Sequence, residues 1–132
     1  MVGIVIVSHS SKIAEGIVEL SRQMVQSNVK IIPAGGTSDG RIGTDATKIL
    51  EAIKKANDGD GVIVLADLGS AILSTEMAID LLDEDIKNKV IIADAPVVEG
   101  SVAAAVEASL GSDLEKIKES AEESKRLIKI NS

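Results

Sequence analysis

The sequence contains no cysteine, phenylalanine, tyrosine or tryptophan, only two prolines, and a single histidine. Without cysteine there is no disulfide framework, no thiolate metal site and no thiol nucleophile. Without aromatic rings there is no base-stacking platform, aromatic sugar shelf or cation–π cage, so the core has to be built from Ile, Val, Leu, Ala and Met. No run of about 18 apolar residues is present to cross a bilayer. The opening stretch Met1 to Val7 has no basic leader of the kind that precedes a signal-peptide core and reads as a first strand. Nothing points to export, and the expected location is the cytoplasm. Basic side chains are also short in number: 14 Lys and Arg against 21 Asp and Glu give a formal charge of −7. That balance repels nucleic acid and offers no basic patch to anionic lipid, which leaves proteins and small molecules as partners.

What is present is 132 residues, 45% of them hydrophobic, enough for one domain with a sizeable core. Four short apolar runs, Gly3 to Val7, Val29 to Ile32, Val62 to Ala66 and Val90 to Ala93, alternate with helical patterns. Their near-continuous Val and Ile content predicts strands buried on both faces, as in a parallel α/β sheet with helices on each side. Helical spacing links Ile13, Ile17, Leu20 and Met24, then Ala46, Ile49, Leu50 and Ile53, then Ile72, Leu73, Met77 and Leu81. Ser112 and Glu115 fit a capping box opening a last helix with Leu114, Ile117 and Ala121 on one stripe. The tail Leu127 to Ile130 alternates apolar and basic residues, and reads either as an antiparallel fifth edge strand or as a frayed terminus.

In such a sheet the reactive groups collect beyond the carboxyl ends of the strands, where the strand order reverses. A 2-1-3-4 order makes neighbours of the loop Ser8-His9-Ser10-Ser11 and the loop Asp67-Leu68-Gly69-Ser70. An imidazole is a nucleophile toward phosphorus when one nitrogen keeps its lone pair and the other holds the proton. A carboxylate such as Asp67 fixes that tautomer and orients the ring. Helices starting near Ser11 and Ser70 turn unpaired N–H groups toward an anion, and Ser8 and Ser10 add hydroxyl donors. Plainer readings stand beside these. His9 also fits a polar strand-end residue, Asp67 a helix N-cap, and Ser10, Ser11 and Ser70 are favoured cap types. Gly35 to Thr44 fits ordinary turn chemistry and no nucleotide-binding fingerprint. Arg41 is either a solvated charge or a phosphate or partner contact. Asp39, Asp94 and Glu99 with one histidine make a weak metal signal, and neither a metal nor a cofactor is expected.

Val5-Ile6-Val7-Ser8-His9-Ser10, Pro33-Ala34-Gly35-Gly36-Thr37, Leu65-Ala66-Asp67-Leu68-Gly69-Ser70-Ala71 and Asp94-Ala95-Pro96-Val97-Val98-Glu99-Gly100 follow one another at four successive strand ends. In this order they resemble the phosphotransferase subunits of phosphoenolpyruvate-dependent dihydroxyacetone kinases, which are related to the mannose-family enzyme IIA domains. The resemblance covers nearly the whole chain. It implies that His9 accepts a phosphoryl group from the carrier HPr and passes it to ADP held on the nucleotide-binding kinase subunit. It implies that Asp67 partners the histidine, that Gly36, Thr37, Gly69 and Ser70 line the site, and that the protein is a homodimer. Some relatives exchange a terminal strand, and Leu127 to Ile130 is the segment available for it. Relatives with fused HPr-like domains extend beyond the length of this sequence, so the donor is expected to be a separate protein. Leu68-Gly69-Ser70-Ala71 lacks the Phe and Pro usual in the sugar-transporting branch, which favours the dihydroxyacetone branch over a mannose-type sugar component. Two rivals remain. A receiver-like module would place its phosphorylated aspartate at Asp67 but needs an acidic pair where Ser8-His9 stands. A non-catalytic regulatory module would use the same face without accepting phosphate.

Overall fold

The alternation of side chains along a strand explains the first feature of the architecture, a sheet with two apolar faces. In the computed structural model, which describes residues 1–131, four parallel strands form one sheet: β1 (Gly3–Ser8), β2 (Ile31–Gly35), β3 (Val62–Ala66) and β4 (Val90–Ile92). Their order is β2-β1-β3-β4, the α/β arrangement the sequence predicts. The connecting helices are α1 (Ser11–Gln23), α2 (Ala46–Ala56), α3 (Gly69–Asp80), the short α4 (Glu84–Lys87), α5 (Val97–Ser109) and α6 (Leu114–Glu123). Ile4 and Ile6 point to one side, where they join Ile17 of α1, Ala104 of α5 and Ile117 of α6. Val5 and Val7 point to the other and meet Ile49 and Ile53 of α2 and Ala78 of α3. All four of these β1 side chains are fully buried.

Several segments differ from the sequence expectation. β2 starts two residues later than the apolar run and passes through Pro33, which pairs with Ile6. Proline has no N–H to give, and an edge strand tolerates it where a central one does not. The segment after the fourth apolar run, Asp94 to Gly100, is placed by the sequence at a strand end, and from Val97 on it is the opening of α5. Gly100 is needed there, since a Cβ would stand 2.8 Å from the Ala95 Cβ and 3.2 Å from Leu65 Cδ1. The last helix is capped by Asp113, whose carboxylate accepts from Lys116 N at 2.9 Å. Ser112 turns instead to Glu107, so the capping box with Glu115 is not formed.

The apolar stripes are the larger correction. The buried face of α1 is Ala14, Ile17, Val18 and Ser21, which leaves Ile13, Leu20 and Met24 exposed. In α3 the small residues Ala71, Thr75 and Ala78 pack inward and Leu73, Met77 and Leu81 lie outside. α3 is apolar on more than one face, and the single apolar arc of α1 is wider than the strip it buries, so spacing alone does not select the buried residues. The tail forms no strand among the described residues. A 3₁₀ turn at Ser124–Arg126 and the ion pairs Lys125–Asp94 (3.2 Å) and Lys129–Glu99 draw it toward the start of α5, away from pairing with β4.

Candidate functional site

The site grows from the carboxyl ends of the two central strands. Val7 and Ala66 are register partners, so His9 and Asp67 leave adjacent strands side by side, and Asp67 N–H donates back to Val7 O at 3.1 Å. The Asp67 carboxylate then receives four donors. Its Oδ1 accepts from the His9 ring at Nδ1 (2.9 Å) and from Leu68 N–H (2.7 Å). Its Oδ2 accepts from Ser8 Oγ–H (2.8 Å) and from His9 N–H (3.0 Å). Burial pushes this carboxyl's pKa up, and the hydrogen bonds from the His9 backbone, the His9 ring, Ser8 and Leu68 outweigh it, holding Asp67 below its ordinary range. An ionised carboxylate only accepts, so Nδ1 carries a proton, and in the neutral form of the ring the lone pair is on Nε2. The ring keeps 21% of its side-chain surface and the carboxylate 14%, a pair sheltered at its root and open at its tip.

Ser8 is the member that sequence reasoning undervalued. It is fully buried, donates to Asp67 and accepts from Ser10 N–H at 3.1 Å, which ties the carboxylate to the turn entering α1. Its signal was its place directly before the histidine at a strand end. Ser10 is the N-cap of α1, its hydroxyl accepting from Ile13 N–H at 3.3 Å. Ser11 opens that helix beside Gly36.

The loop after β2 closes the other side. Gly35 lets α1 approach, because a Cβ there would lie 2.5 Å from Ser10 O and 2.8 Å from Ser11 Cα. Lys48 Nζ donates to Gly35 O at 2.8 Å. Gly36 adopts φ +72°, a left-handed conformation suited to glycine, and its N–H reaches Ser8 O at 3.1 Å. Gly43 N–H donates to His9 O at 2.8 Å, and Thr44 Oγ1 meets Ser74 Oγ of α3 at 2.5 Å. The Thr37 hydroxyl bonds Asp39 and accepts from Arg41 N–H, stapling the loop to itself. Arg41 pairs with Asp39 at 2.9 Å in the same exposed loop.

At the tip, Ser70 Oγ stands 2.5 Å from His9 Nε2. Ser70 is the second residue of α3, whose first turn has no side-chain cap, and Gly69 before it has open space where a Cβ would stand. A cleft of about 460 Å³ runs from Asp67, Leu68 and Gly69 to Asp94 and Ala95, between the ends of β3 and β4. Asp94 and Glu99 are engaged with lysines. Among the described residues no three His, Cys, Asp or Glu side chains are grouped to hold a metal, and no helix is long and apolar enough to cross a membrane.

The site is thus an imidazole–carboxylate pair at the switch point of a parallel α/β sheet of order 2-1-3-4. The chain belongs to the EIIA-man family, described as the PTS system fructose IIA component, whose model matches residues 3–118. It is 50% identical over 120 residues to the PEP-dependent dihydroxyacetone kinase phosphoryl donor subunit DhaM of Escherichia coli K12, a match that covers 89% of this chain and 25% of that protein. The chain thus spans about a quarter of the length of that relative. It is 45% identical over 117 residues to the PEP-dependent dihydroxyacetone kinase 2 phosphoryl donor subunit DhaM of Listeria innocua serovar 6a, covering 89% of this chain and 94% of that protein. A solved crystal structure of a protein of unknown function superposes with a TM-score of 0.81 at 43% identity, covering 92% of this chain and 94% of that one.

Proposed function

We propose that this chain is a single enzyme IIA-type domain that serves as a phosphoryl donor subunit of a dihydroxyacetone kinase, working in the cytoplasm through a phosphohistidine at His9. The observation that carries the reading is the set of bonds around Asp67: four donors hold its charge, its Oδ1 holds the proton on Nδ1, and Nε2 is left as the nucleophile at the open end. In the forward step the Nε2–P bond forms as the N–P bond of a phosphohistidine carrier, HPr, breaks. The electron pair of the broken bond stays on the donor nitrogen, and the Nδ1 proton stays in place. Asp67 balances the cationic character of the phosphorylated ring. The uncapped first turn of α3 supplies N–H groups to the phosphoryl oxygens. In the onward step ADP on a nucleotide-binding kinase subunit takes the group. Relatives carrying the phosphoryl donor name at 45% to 50% identity support this assignment.

The family description names a fructose component, which favours a second reading as a sugar-transport IIA domain. Supplying the phosphorylated protein with either the kinase subunits and dihydroxyacetone or a sugar permease component separates the two by which one is discharged. A homodimer fits the exposed Leu73, Met77 and Leu81 stripe and the exposed Leu127, Ile128 and Ile130 of the tail. Size-exclusion chromatography returning a monomer would sink that assembly. The test of the whole reading is intact-mass analysis after incubation with phosphoenolpyruvate, enzyme I and HPr. One phosphoryl group on wild type and none on His9→Ala is the expected result. Equal labelling of both, or of neither with active carriers, would overturn it.

A further inference from the structure

The donors that meet the Asp67 carboxylate do different work. His9 N–H on Oδ2 and Leu68 N–H on Oδ1 are backbone groups, one on each oxygen, and together they hold the carboxylate in place. The ring takes Oδ1. Ser8 brings a hydroxyl to Oδ2, and the direction of that bond is fixed from the other side. Ser10 N–H can only donate, so Ser8 Oγ accepts there at 3.1 Å and its single hydrogen goes to Asp67 at 2.8 Å. Ser8 is fully buried, and no water competes for that hydrogen. Among the described residues no lysine or arginine pairs with Asp67. Apart from the ring itself, Ser8 is therefore the side chain that draws charge from this carboxylate.

We propose that Ser8 is a positioning residue that acts through Asp67 by charge: its hydroxyl draws negative charge onto Oδ2, which weakens the hold of Oδ1 on the phosphorylated ring and keeps the phosphoryl group transferable. The inference rests on the reading of His9 as the phosphoryl acceptor. A phosphorylated ring with hydrogen on Nδ1 is cationic, whereas the ring released after transfer is neutral. A neighbouring carboxylate stabilises the cation more than the neutral ring. Stripped of one donor, Asp67 keeps more charge on Oδ1, holds the phosphorylated ring more tightly and makes it a poorer donor. Ser8 exchanges no bond in this step. The Nε2–P bond forms as the N–P bond of the carrier breaks, the electron pair stays on the carrier nitrogen, and Nδ1 and Ser8 Oγ keep their hydrogens.

The test is the equilibrium of phosphoryl exchange between phospho-HPr and this chain, with all four species quantified by intact mass. Ser8→Ala is expected to shift it toward the phosphorylated chain by about three- to tenfold, part of the worth of one hydrogen bond to a charged group. Ser8→Cys, whose S–H is a weaker donor, is expected to fall between Ser8→Ala and wild type. A lesion that merely loosens the site moves the equilibrium the other way or not at all, and either result overturns the proposal. Asp113→Ala removes the cap of α6 beside Met1 and Val2, at the opposite end of β1, and costs a comparable amount of stability. It is expected to leave the equilibrium at the wild-type value; a shift equal to that of Ser8→Ala would also overturn the proposal. A second readout needs no phosphoryl donor. In the free protein the Nδ1–H proton resonance of His9 is expected to move downfield in Ser8→Ala, because Oδ1 becomes the stronger acceptor, and an unchanged or upfield resonance overturns the charge argument. If wild type takes no phosphoryl group from active HPr, the acceptor reading of His9 fails, and the resonance still decides what Ser8 does to Asp67.

Discussion

Replacing Asp67 by asparagine keeps the shape of the side chain and removes its charge, and the outcome follows from counting donors. The carboxylate accepts from Leu68 N–H, His9 N–H, Ser8 Oγ–H and the His9 ring. An amide has one acceptor oxygen and one NH₂ in the same space. With the NH₂ at the Oδ1 position, it faces Leu68 N–H and the ring. The ring then keeps a bond only by accepting at Nδ1 and moving its proton to Nε2, which removes the nucleophile. With the NH₂ at the Oδ2 position the tautomer survives, but His9 N–H loses its acceptor and the phosphorylated ring loses its counter-charge. Either way one backbone donor is stranded, at a cost of about 1–3 kcal/mol. For a chain of this length that lowers Tm by about 4 °C per kcal/mol. The loss in transfer is larger, about 10²- to 10³-fold, the scale of removing one preorganised electrostatic contact from a reacting centre. Quenched-flow measurement of uptake from phospho-HPr, beside urea unfolding of the same samples, separates the two effects. A transfer rate within twofold of wild type would refute the orienting role of Asp67.

Three further predictions concern the frame of the site. Ser8→Ala removes a buried donor to Asp67 and strands Ser10 N–H, so stability is expected to fall by about 1–2 kcal/mol in urea titration; an unchanged midpoint would contradict it. Gly35→Ala drives a Cβ against Ser10 O and Ser11 Cα, and overpacking backbone in this way costs about 1–3 kcal/mol, read as a lower Tm and a displaced α1. The third is a pH dependence. Asp67 and Glu107, the latter held by Ser112 and Ser120, both have folded pKa values below their unfolded ones of 3.8 and 4.5. In that window the unfolded chain binds more protons, so stability rises with pH. Their contribution is full above about 4.5 and is lost as pH falls through the lower folded values. Asp67→Asn should flatten the acid limb of the stability curve, and an acid limb identical to wild type would contradict the assignment.

The strands were legible because unbroken Val and Ile runs are strong, local signals, and the meeting of His9 with Asp67 followed once the 2-1-3-4 order of a doubly wound sheet was taken for them. What stayed hidden depended on the third dimension. Ser8 carries no mark that says whether the last residue of β1 points at the carboxylate or at water. Pro33 marked the end of the second apolar run at Ile32, whereas β2 continues through it to Gly35 because an edge strand tolerates the missing N–H. In α3 the bulky Leu73, Met77 and Leu81 are outside and the small Ala71, Thr75 and Ala78 inside, the reverse of what spacing suggests, and in α1 the buried face keeps Ile17 but is centred on Ala14, Val18 and Ser21 rather than on Ile13, Leu20 and Met24. Thr37, counted among the lining residues by motif alone, spends its hydroxyl within its own loop. Ser70 could be placed near the site from its loop, but its contact with His9 Nε2 depends on how the first turn of α3 meets the ring.

The central claim is that one nitrogen of one ring carries the chemistry, and long-range ¹H–¹⁵N correlation of the protein after incubation with phosphoenolpyruvate, enzyme I and HPr tests it most directly. The account predicts phosphorus on Nε2 of His9 with the proton still on Nδ1. Phosphorus on Nδ1, on another side chain, or nowhere while the carriers are active would contradict it.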